Sequence, residues 1–159
     1  IPFYSGAPHP TEPRTTSCRR RTCYNAVMDS SNAAQLVDSA RAARERAYAP
    51  FSRFPVGAAL RAPDGRVFLG CNVENASYGL TICAERAAVC AAVSAGARQF
   101  EALAIATAGG HPPCGACRQV LAEFCEDLPI LLVDTQRGDV VGEVFLRDLL
   151  PTRFSRRDG

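Results

Sequence analysis

Three cysteines and a glutamate are the residues whose types and spacing most clearly indicate chemistry. Cys114 and Cys117 are three residues apart, so on the first turn of a helix both sulfurs would lie on one side and could share a zinc ion. Cys83 lies upstream, two residues before Glu85. Three protein ligands leave the fourth position of a tetrahedral zinc open, which is typical of catalytic sites. The pattern therefore indicates a catalytic zinc.

Glu85 is predicted to carry protons in this site. A carboxylate that is not itself a ligand can take a proton from water whose pKa the metal lowers from about 15.7 towards 7. Residues two apart on a helix face different ways, so Cys83 is expected at the cap or in the first turn of its helix. The negative charge of three thiolates requires compensation, from two helix N-termini and from Arg86 beside them. The alternative for Arg86 is an ordinary exposed helix position.

The same cysteines leave a second interpretation open. A lone C-x-x-C pair can also be redox-active, and a structural zinc module would close its site with a fourth thiolate from Cys71, Cys90 or Cys125. Such a module would have no use for Glu85. The three additional cysteines lie in apolar segments and are predicted to be small buried hydrophobic residues.

The pattern of apolar residues predicts the elements that must position these side chains. Apolar residues at three- and four-residue spacings predict an amphipathic helix with Asp29, Ser30 or Ser31 as its cap. The later alternation of helix and strand predicts parallel pairings, and therefore a three-layer α/β/α domain with a mixed sheet of about five strands. The predicted helices are 32–47, 83–95 and 113–124, and the predicted strands are 55–62, 66–71, 101–107, 129–134 and 140–145.

Charge and composition exclude several functions. All 18 basic residues are arginines, which rules out Schiff-base catalysis by lysine and a phosphate-binding loop that depends on lysine. Residues 28–159 carry 14 arginines against 15 acidic residues. This near-neutral segment gives no electrostatic support for binding a nucleic-acid polymer or a membrane surface.

The first 27 residues differ from the rest. They contain several Pro, Ser and Thr residues and the basic run at 19–21, without sustained periodicity, so they are predicted to be a disordered arm or a segment foreign to the native protein. Met28 is the only methionine and is the expected native start. No apolar run approaches the roughly 20 residues that span a bilayer, and no secretory signal is evident. We therefore expect a cytoplasmic protein with reduced cysteines.

The cysteine motifs belong to a larger set of matching stretches. With this set the chain resembles the small cytidine deaminases of the cytidine and deoxycytidylate deaminase superfamily, whose signature is a His or Cys ligand, a Glu and P-C-x-x-C. The resemblance runs from about residue 48 to residue 154 and makes 28–159 a zinc-dependent deaminase domain. The matching stretches are 54–60 (FPVGAAL), 70–76 (GCNVENA), 83–86 (CAER) and 113–119 (PCGACRQ).

The resemblance implies roles for individual residues. Phe54 would stack on the pyrimidine, and Asn72 and Glu74 would bind the ribose hydroxyls. Tyr78 and Phe154 would come from neighbouring subunits of a homotetramer with shared active sites. The zinc ligands would be Cys83, Cys114 and Cys117, the proton shuttle Glu85, a supporting residue Arg86, and further substrate-binding residues Ala76 and Ala84.

The implied reaction is the hydrolysis of cytidine, and of deoxycytidine, to uridine or deoxyuridine and ammonia. Zinc would be the sole cofactor and pyrimidine salvage the cellular role. A polynucleotide-editing deaminase would need a basic groove and aromatic platforms for single strands, which the charge balance argues against. A deaminase of a nucleoside antibiotic would keep the zinc site and change the pocket. Because three cysteines complete the pattern, His111 is predicted to be a surface-loop residue.

Overall fold

The computed structural model describes residues 29–155, which form one mixed sheet with helices on both faces. The predicted arm at 1–27 and the expected start at Met28 lie outside the described residues. A short 3-10 helix spans Tyr78–Leu80. The elements are α1 (Ser30–Arg44), β1 (Gly57–Arg61), β2 (Val67–Cys71), α2 (Ala84–Ser94), β3 (Ala102–Thr107), α3 (Gly115–Phe124), β4 (Pro129–Asp134), β5 (Asp139–Phe145) and α4 (Leu146–Leu149).

The five strands lie in the order β2-β1-β3-β4-β5, which confirms the predicted mixed sheet. β1 pairs antiparallel with both β2 and β3, so α2 carries the chain over β1 between two strands that run the same way. β3 and β4 are parallel neighbours, as the intervening helix α3 predicts. β5 returns antiparallel to β4, because a turn over residues 135–138 leaves room for a hairpin and not for a crossover helix.

The helices pack on the sheet in two different ways. On one face, α1 lies on small side chains of the central strands, among them Ala59 and Ala104. On the other face, α2 and α3 cover larger residues, among them Leu60, Ile105 and Ile130. A Cβ at Gly57 would lie 2.1 Å from the carbonyl oxygen of Ala40, so this close approach of α1 to β1 requires glycine.

The first helix begins and ends earlier than predicted. Its cap is Asp29, whose side chain accepts a hydrogen bond from the backbone N–H of Asn32 at 2.7 Å. It ends at Arg44, and the chain then turns so that Tyr48 pairs with the segment after β2; its N–H donates to the carbonyl of Asn72 at 3.0 Å. This long-range pairing overrides the helical spacing of residues 45–47.

None of the helices in residues 29–155 combines the length and the apolar character needed to cross a bilayer.

Candidate metal centre and active site

Two helices begin at the cysteines of the motif. Cys83 is the N-cap of α2 and Cys114 is the N-cap of α3, both with extended backbone angles. Cys117 lies one turn further along α3 and is buried. The expectation that Cys83 lies at the cap of its helix is confirmed, and this placement lets Cys83 and Glu85 both face one pocket.

The three sulfurs form a cluster that fits a zinc ion. All three Sγ atoms lie within 4.8 Å of one another, with 3.9 Å between Cys83 and Cys114 and 3.5 Å between Cys114 and Cys117. Tetrahedral zinc with bonds of 2.3 Å places its sulfur ligands about 3.8 Å apart. The cluster therefore has the donor type and the spacing that zinc requires. It is the one such group of three His, Cys, Asp or Glu residues within 29–155.

A positively charged side chain lies beside this cluster, as an anionic thiolate centre requires. The Arg86 guanidinium donates from Nη2 to Cys83 Sγ at 3.6 Å and to the carbonyl of Thr81 at 2.9 Å. Hydrogen bonds from the Cys117 thiol and from Arg86 lower the pKa of Cys83 to about 5. The hydrogen bond to Cys83 raises the pKa of Arg86 in turn. The pKa of the Cys117 thiol is raised by its hydrogen bond to Cys83 and by burial. The surroundings of Cys83 thus favour its thiolate form, which is the form that binds zinc.

The Nε atom of Arg86 is a second sign of an anionic centre. Within the part of the chain that the structure describes, it is the one buried side-chain nitrogen or oxygen that lacks a hydrogen-bond partner. A buried donor of this kind costs free energy unless it is compensated. A guanidinium that interacts with the Cys83 and Cys117 sulfurs is compensated when those sulfurs carry negative charge, as zinc-bound thiolates do.

Glu85 faces a cavity of about 190 Å³ beside the cysteines. Its side chain is 5% exposed, and burial raises the pKa of its carboxyl above the ordinary value. The cavity thus combines a protonatable carboxyl with the sulfurs of two of the three candidate ligands. Twelve residues line it: Phe54, Val56, Asn72, Thr81, Cys83, Ala84, Glu85, Ile105, Thr107, His111, Pro112 and Cys114.

Asn72 and Glu74 are tied to the segment that carries Phe54. The Asn72 amide, 8% exposed, accepts from the backbone N–H of Val56 at 2.8 Å and donates to the carbonyl of Phe54 at 3.0 Å. Glu74 accepts hydrogen bonds from the backbone N–H groups of residues 51 and 52 and from the Ser52 hydroxyl. Asn72 lines the cavity; Glu74 lines an adjoining groove that shares Thr81 with it. Both side chains thus hold the Phe54 segment in place.

Besides Glu74, three other implied substrate-binding residues lie outside the cavity of this chain. Ala76 and Tyr78 belong to an exposed excursion whose base is closed by paired backbone hydrogen bonds between Val73 and Ile82. Tyr78 is 77% exposed, and Phe154 is 78% exposed. The backbone of Phe154 is held on α3 by both ends of the Gln119 amide. A single chain therefore does not bring these side chains to Glu85.

The interpretation of His111 as a surface-loop residue is incomplete, because its side chain lines the cavity. Its backbone N–H donates to Thr107 Oγ1 at 2.8 Å, which curls the loop after β3 back towards the site. Thr107 itself, at the carboxyl end of β3, was not singled out from the sequence. Its place at the end of a predicted strand could have indicated it, because ligands bind at the carboxyl ends of strands in α/β sheets.

The other described cysteines do not join the cluster. Cys125 is buried, and burial raises the pKa of its thiol to about 12, as expected of a small hydrophobic residue. Cys71 is only half-buried, so the prediction that it is buried is not met. The prediction that Cys90 is buried is wrong: it is exposed, because it lies on the side of α2 that faces away from the sheet. Within residues 29–155 the cluster has three thiols, so the closed four-thiolate module lacks its fourth ligand.

Comparison with known proteins identifies the class that this fold and site define. The model of the cytidine and deoxycytidylate deaminase zinc-binding region matches residues 30–131. A cytidine deaminase from Sporosarcina psychrophila is 50% identical over 127 residues, which cover 78% of this chain and 92% of the relative. The chain therefore belongs to the zinc-binding cytidine and deoxycytidylate deaminase family, and it is an enzyme of that class.

Solved structures show the same fold. The crystal structure of a cytidine deaminase from Burkholderia pseudomallei is 50% identical and superposes with a TM-score of 0.72, over 80% of this chain and 100% of that one. For a cytidine deaminase from Mycobacterium tuberculosis the identity is 47% and the TM-score 0.67, over 77% and 97% of the two chains. These likenesses confirm the predicted α/β architecture.

Proposed function

We propose that this enzyme hydrolyses cytidine to uridine and ammonia with zinc as its cofactor, and that it also accepts deoxycytidine. One observation carries the proposal: the Cys83, Cys114 and Cys117 sulfurs cluster at the zinc spacing beside a cavity that the buried Glu85 lines. The family and the relatives named above supply the substrate. We further propose a cytoplasmic enzyme of pyrimidine salvage.

The chemistry divides between the metal and the chain's own residues. When bound by the three thiolates, zinc supplies a Lewis acid that lowers the pKa of a water molecule towards 7. The Glu85 carboxylate takes a proton from the attacking water while the water oxygen bonds to C4 of the pyrimidine. Glu85 then delivers this proton to N3. Glu85 next takes the remaining proton from the new C4 hydroxyl and gives it to the amino group at C4. The C4–N4 bond breaks, and ammonia leaves. Arg86 stabilises the Cys83 thiolate throughout.

The remaining residues are proposed to hold the nucleoside. Phe54 stacks on the base. Ala84 lines the cavity at the start of α2, where helical N–H groups lack partners in the helix, and its N–H is the proposed donor to the base. After its two hydrogen bonds to the backbone, the Asn72 side-chain amide still has one N–H and one oxygen lone pair with which to bind a substrate. It shares the ribose hydroxyls with Glu74, whose carboxylate lies in the adjoining groove.

Turnover by the zinc-loaded chain, and its loss on removal of the metal, tests this proposal. We expect cytidine absorbance to fall with release of one ammonia per uridine. Stripping zinc with a chelator should abolish activity, and adding zinc back should restore it, because the Glu85 carboxylate by itself does not lower the pKa of water. Metal analysis should find one zinc per chain. Magnesium added to the stripped protein serves as the control, since it prefers oxygen ligands.

Either of two results would contradict the proposal. A folded, zinc-loaded chain with no turnover of cytidine or deoxycytidine would sink the substrate assignment, and cytosine nucleoside antibiotics would then be assayed. Full turnover by a chain that contains no metal would sink the role of zinc.

We also propose that the active sites are shared within a homotetramer. Phe51, Tyr78, Leu80 and Phe154 expose between 49% and 78% of their surface, and large exposed apolar side chains are candidates for contact with another subunit. Phe51 and Tyr78 line the groove that adjoins the cavity. An adjacent subunit that covers this surface would bring Tyr78, with Ala76 in the same segment, and Phe154 to a neighbouring cavity.

Mixed tetramers of two impaired variants test this sharing. We expect the parent to have a mass in solution of about four times the 17.0 kDa of one chain. Glu85→Gln and Phe154→Ala should each be impaired alone, whereas the two co-expressed with different tags should regain activity, because some sites then combine an intact Glu85 with an intact Phe154. Activity no greater than the sum of the two separate variants would show that Phe154 acts in its own chain or not at all.

A further inference from the structure

The ring of His111 faces the ring of Phe54 at the mouth of the cavity. The ring centroids are 6.0 Å apart and the ring planes are inclined by 49°. This separation lies within the range of about 4.5–7 Å over which aromatic rings interact. Both residues line the cavity that contains Glu85, and both keep part of their surface open to solvent. The two rings therefore flank the entrance through which a substrate would reach Glu85.

The position of His111 is set by a built loop. The Asp134 carboxylate, 5% exposed, accepts from the backbone N–H of Gly109 at 2.9 Å. Thr107 Oγ1 accepts from the N–H of His111 at 2.8 Å. The imidazole lies against Gly109, where a Cβ would be 3.0 Å from its Nε2 atom, and Gly109 has a φ of 85°. The loop thus turns the ring towards Phe54, and the positive φ favours glycine at residue 109.

We propose that His111 is a second aromatic contact for the pyrimidine and determines how tightly the nucleoside binds. The inference rests on the proposed function, since it assumes that Phe54 contacts the base. A flat base in contact with a ring on each face needs the rings about 7 Å apart, at about 3.5 Å per contact. The centroids are 6.0 Å apart, about 1 Å less than this, so the exposed imidazole would have to turn from its 49° inclination and move outwards to admit the base. The base then replaces the contact between the two rings.

The inference assigns to His111 an effect on binding rather than on bond breaking. Its ring flanks the entrance, whereas the proton transfers belong to Glu85. Removing the ring should therefore weaken ground-state and transition-state binding alike, which raises KM and leaves kcat nearly unchanged. An aromatic replacement should preserve the contact, because every base has a π-face for stacking. An aliphatic replacement of similar size should not.

Three variants and two measurements test the inference: His111→Ala, His111→Phe and His111→Leu. Each is assayed for KM and kcat with cytidine, and for the Kd of uridine by calorimetry. We expect the alanine variant to raise both KM and Kd by about 5- to 20-fold, with kcat changed less than about twofold. The phenylalanine variant should return both constants close to those of the parent, and the leucine variant should stay near alanine.

Three outcomes would overturn the inference. Unchanged KM and Kd in His111→Ala would show that the ring does not contact the base. Equal rescue by leucine and phenylalanine would assign His111 to filling space. Loss of zinc in all three variants would assign it to supporting the loop that leads to Cys114. A parent that binds zinc but turns over no cytidine would instead contradict the proposed function, which separates the two failures.

Discussion

Replacing Glu85 by glutamine is expected to lower kcat by about two to four orders of magnitude, the usual contribution of general acid–base catalysis. The amide has nearly the same shape, so the buried side chain should keep its place in the cavity. It cannot accept a proton from water and pass it to N3 or to the departing amine. Because Glu85 is not among the three clustered sulfur ligands, the variant should keep its zinc. Cytidine turnover and metal content, measured on the same sample, check this expectation.

The matched control is Glu123→Gln, which makes the same chemical change at an exposed position on α3. It should retain the kcat and the zinc content of the parent. A Glu85→Gln variant with full zinc and a kcat within threefold of the parent would remove Glu85 from the mechanism. Loss of zinc in that variant would instead mean that the carboxyl supports the metal centre.

Substituting Gly70 by alanine is expected to have the second-largest effect. A Cβ at this position would lie 2.2 Å from the carbonyl oxygen of Ala84 and 2.4 Å from the backbone nitrogen of Ala88, and neither atom can move without α2. Forcing atoms into a filled space costs about 1–3 kcal/mol, and backbone contacts this short favour the upper end. Because Cys83 and Glu85 lie at the start of α2, displacement of the helix should also weaken zinc binding.

Gly142→Ala on β5 is the control for the glycine substitution. A Cβ there would meet Leu132 at 3.7 Å, an ordinary contact, so stability should stay within about 1 kcal/mol of the parent, the cost of a typical mild substitution. Urea unfolding measures the loss of stability in both variants, and competition with a chelator measures zinc affinity. A Gly70→Ala variant as stable as Gly142→Ala, with the zinc affinity of the parent, would show that β2 accommodates the methyl group by shifting.

Predictions that depend on local spacing agree with the structure. The C-x-x-C spacing and the Cys83 position predicted that these cysteines lie at helix starts, because a cap residue and the first turn are set by residues only one to three apart. The β-strands were located to within two residues for the same reason, since alternating or continuous apolar runs are local signals. The three-layer fold followed from the order of these elements.

Other features depend on contacts between distant parts of the chain. The end of α1 is decided by the pairing of Tyr48 with Asn72, and the aim of His111 by the Thr107 hydroxyl together with the loop after β3. Whether Arg86 faces solvent or sulfur was left open by its spacing; the packing of α2 brings it to Cys83. Local patterns contain no information about such partners.

By itself, the sequence determined the presence of three thiols and a carboxylate at spacings that suit one zinc ion and one proton carrier, and so predicted the chemistry proposed here. The tertiary structure alone decided which side chains share a cavity with them. It ties the Asn72 amide to the Phe54 segment, directs His111 towards Phe54, and leaves Tyr78 and Phe154 on the surface. The physical reason is the separation of the residues along the chain. Ligand spacing is set within a few residues of backbone, whereas a cavity wall is formed by segments that only the packed sheet brings together.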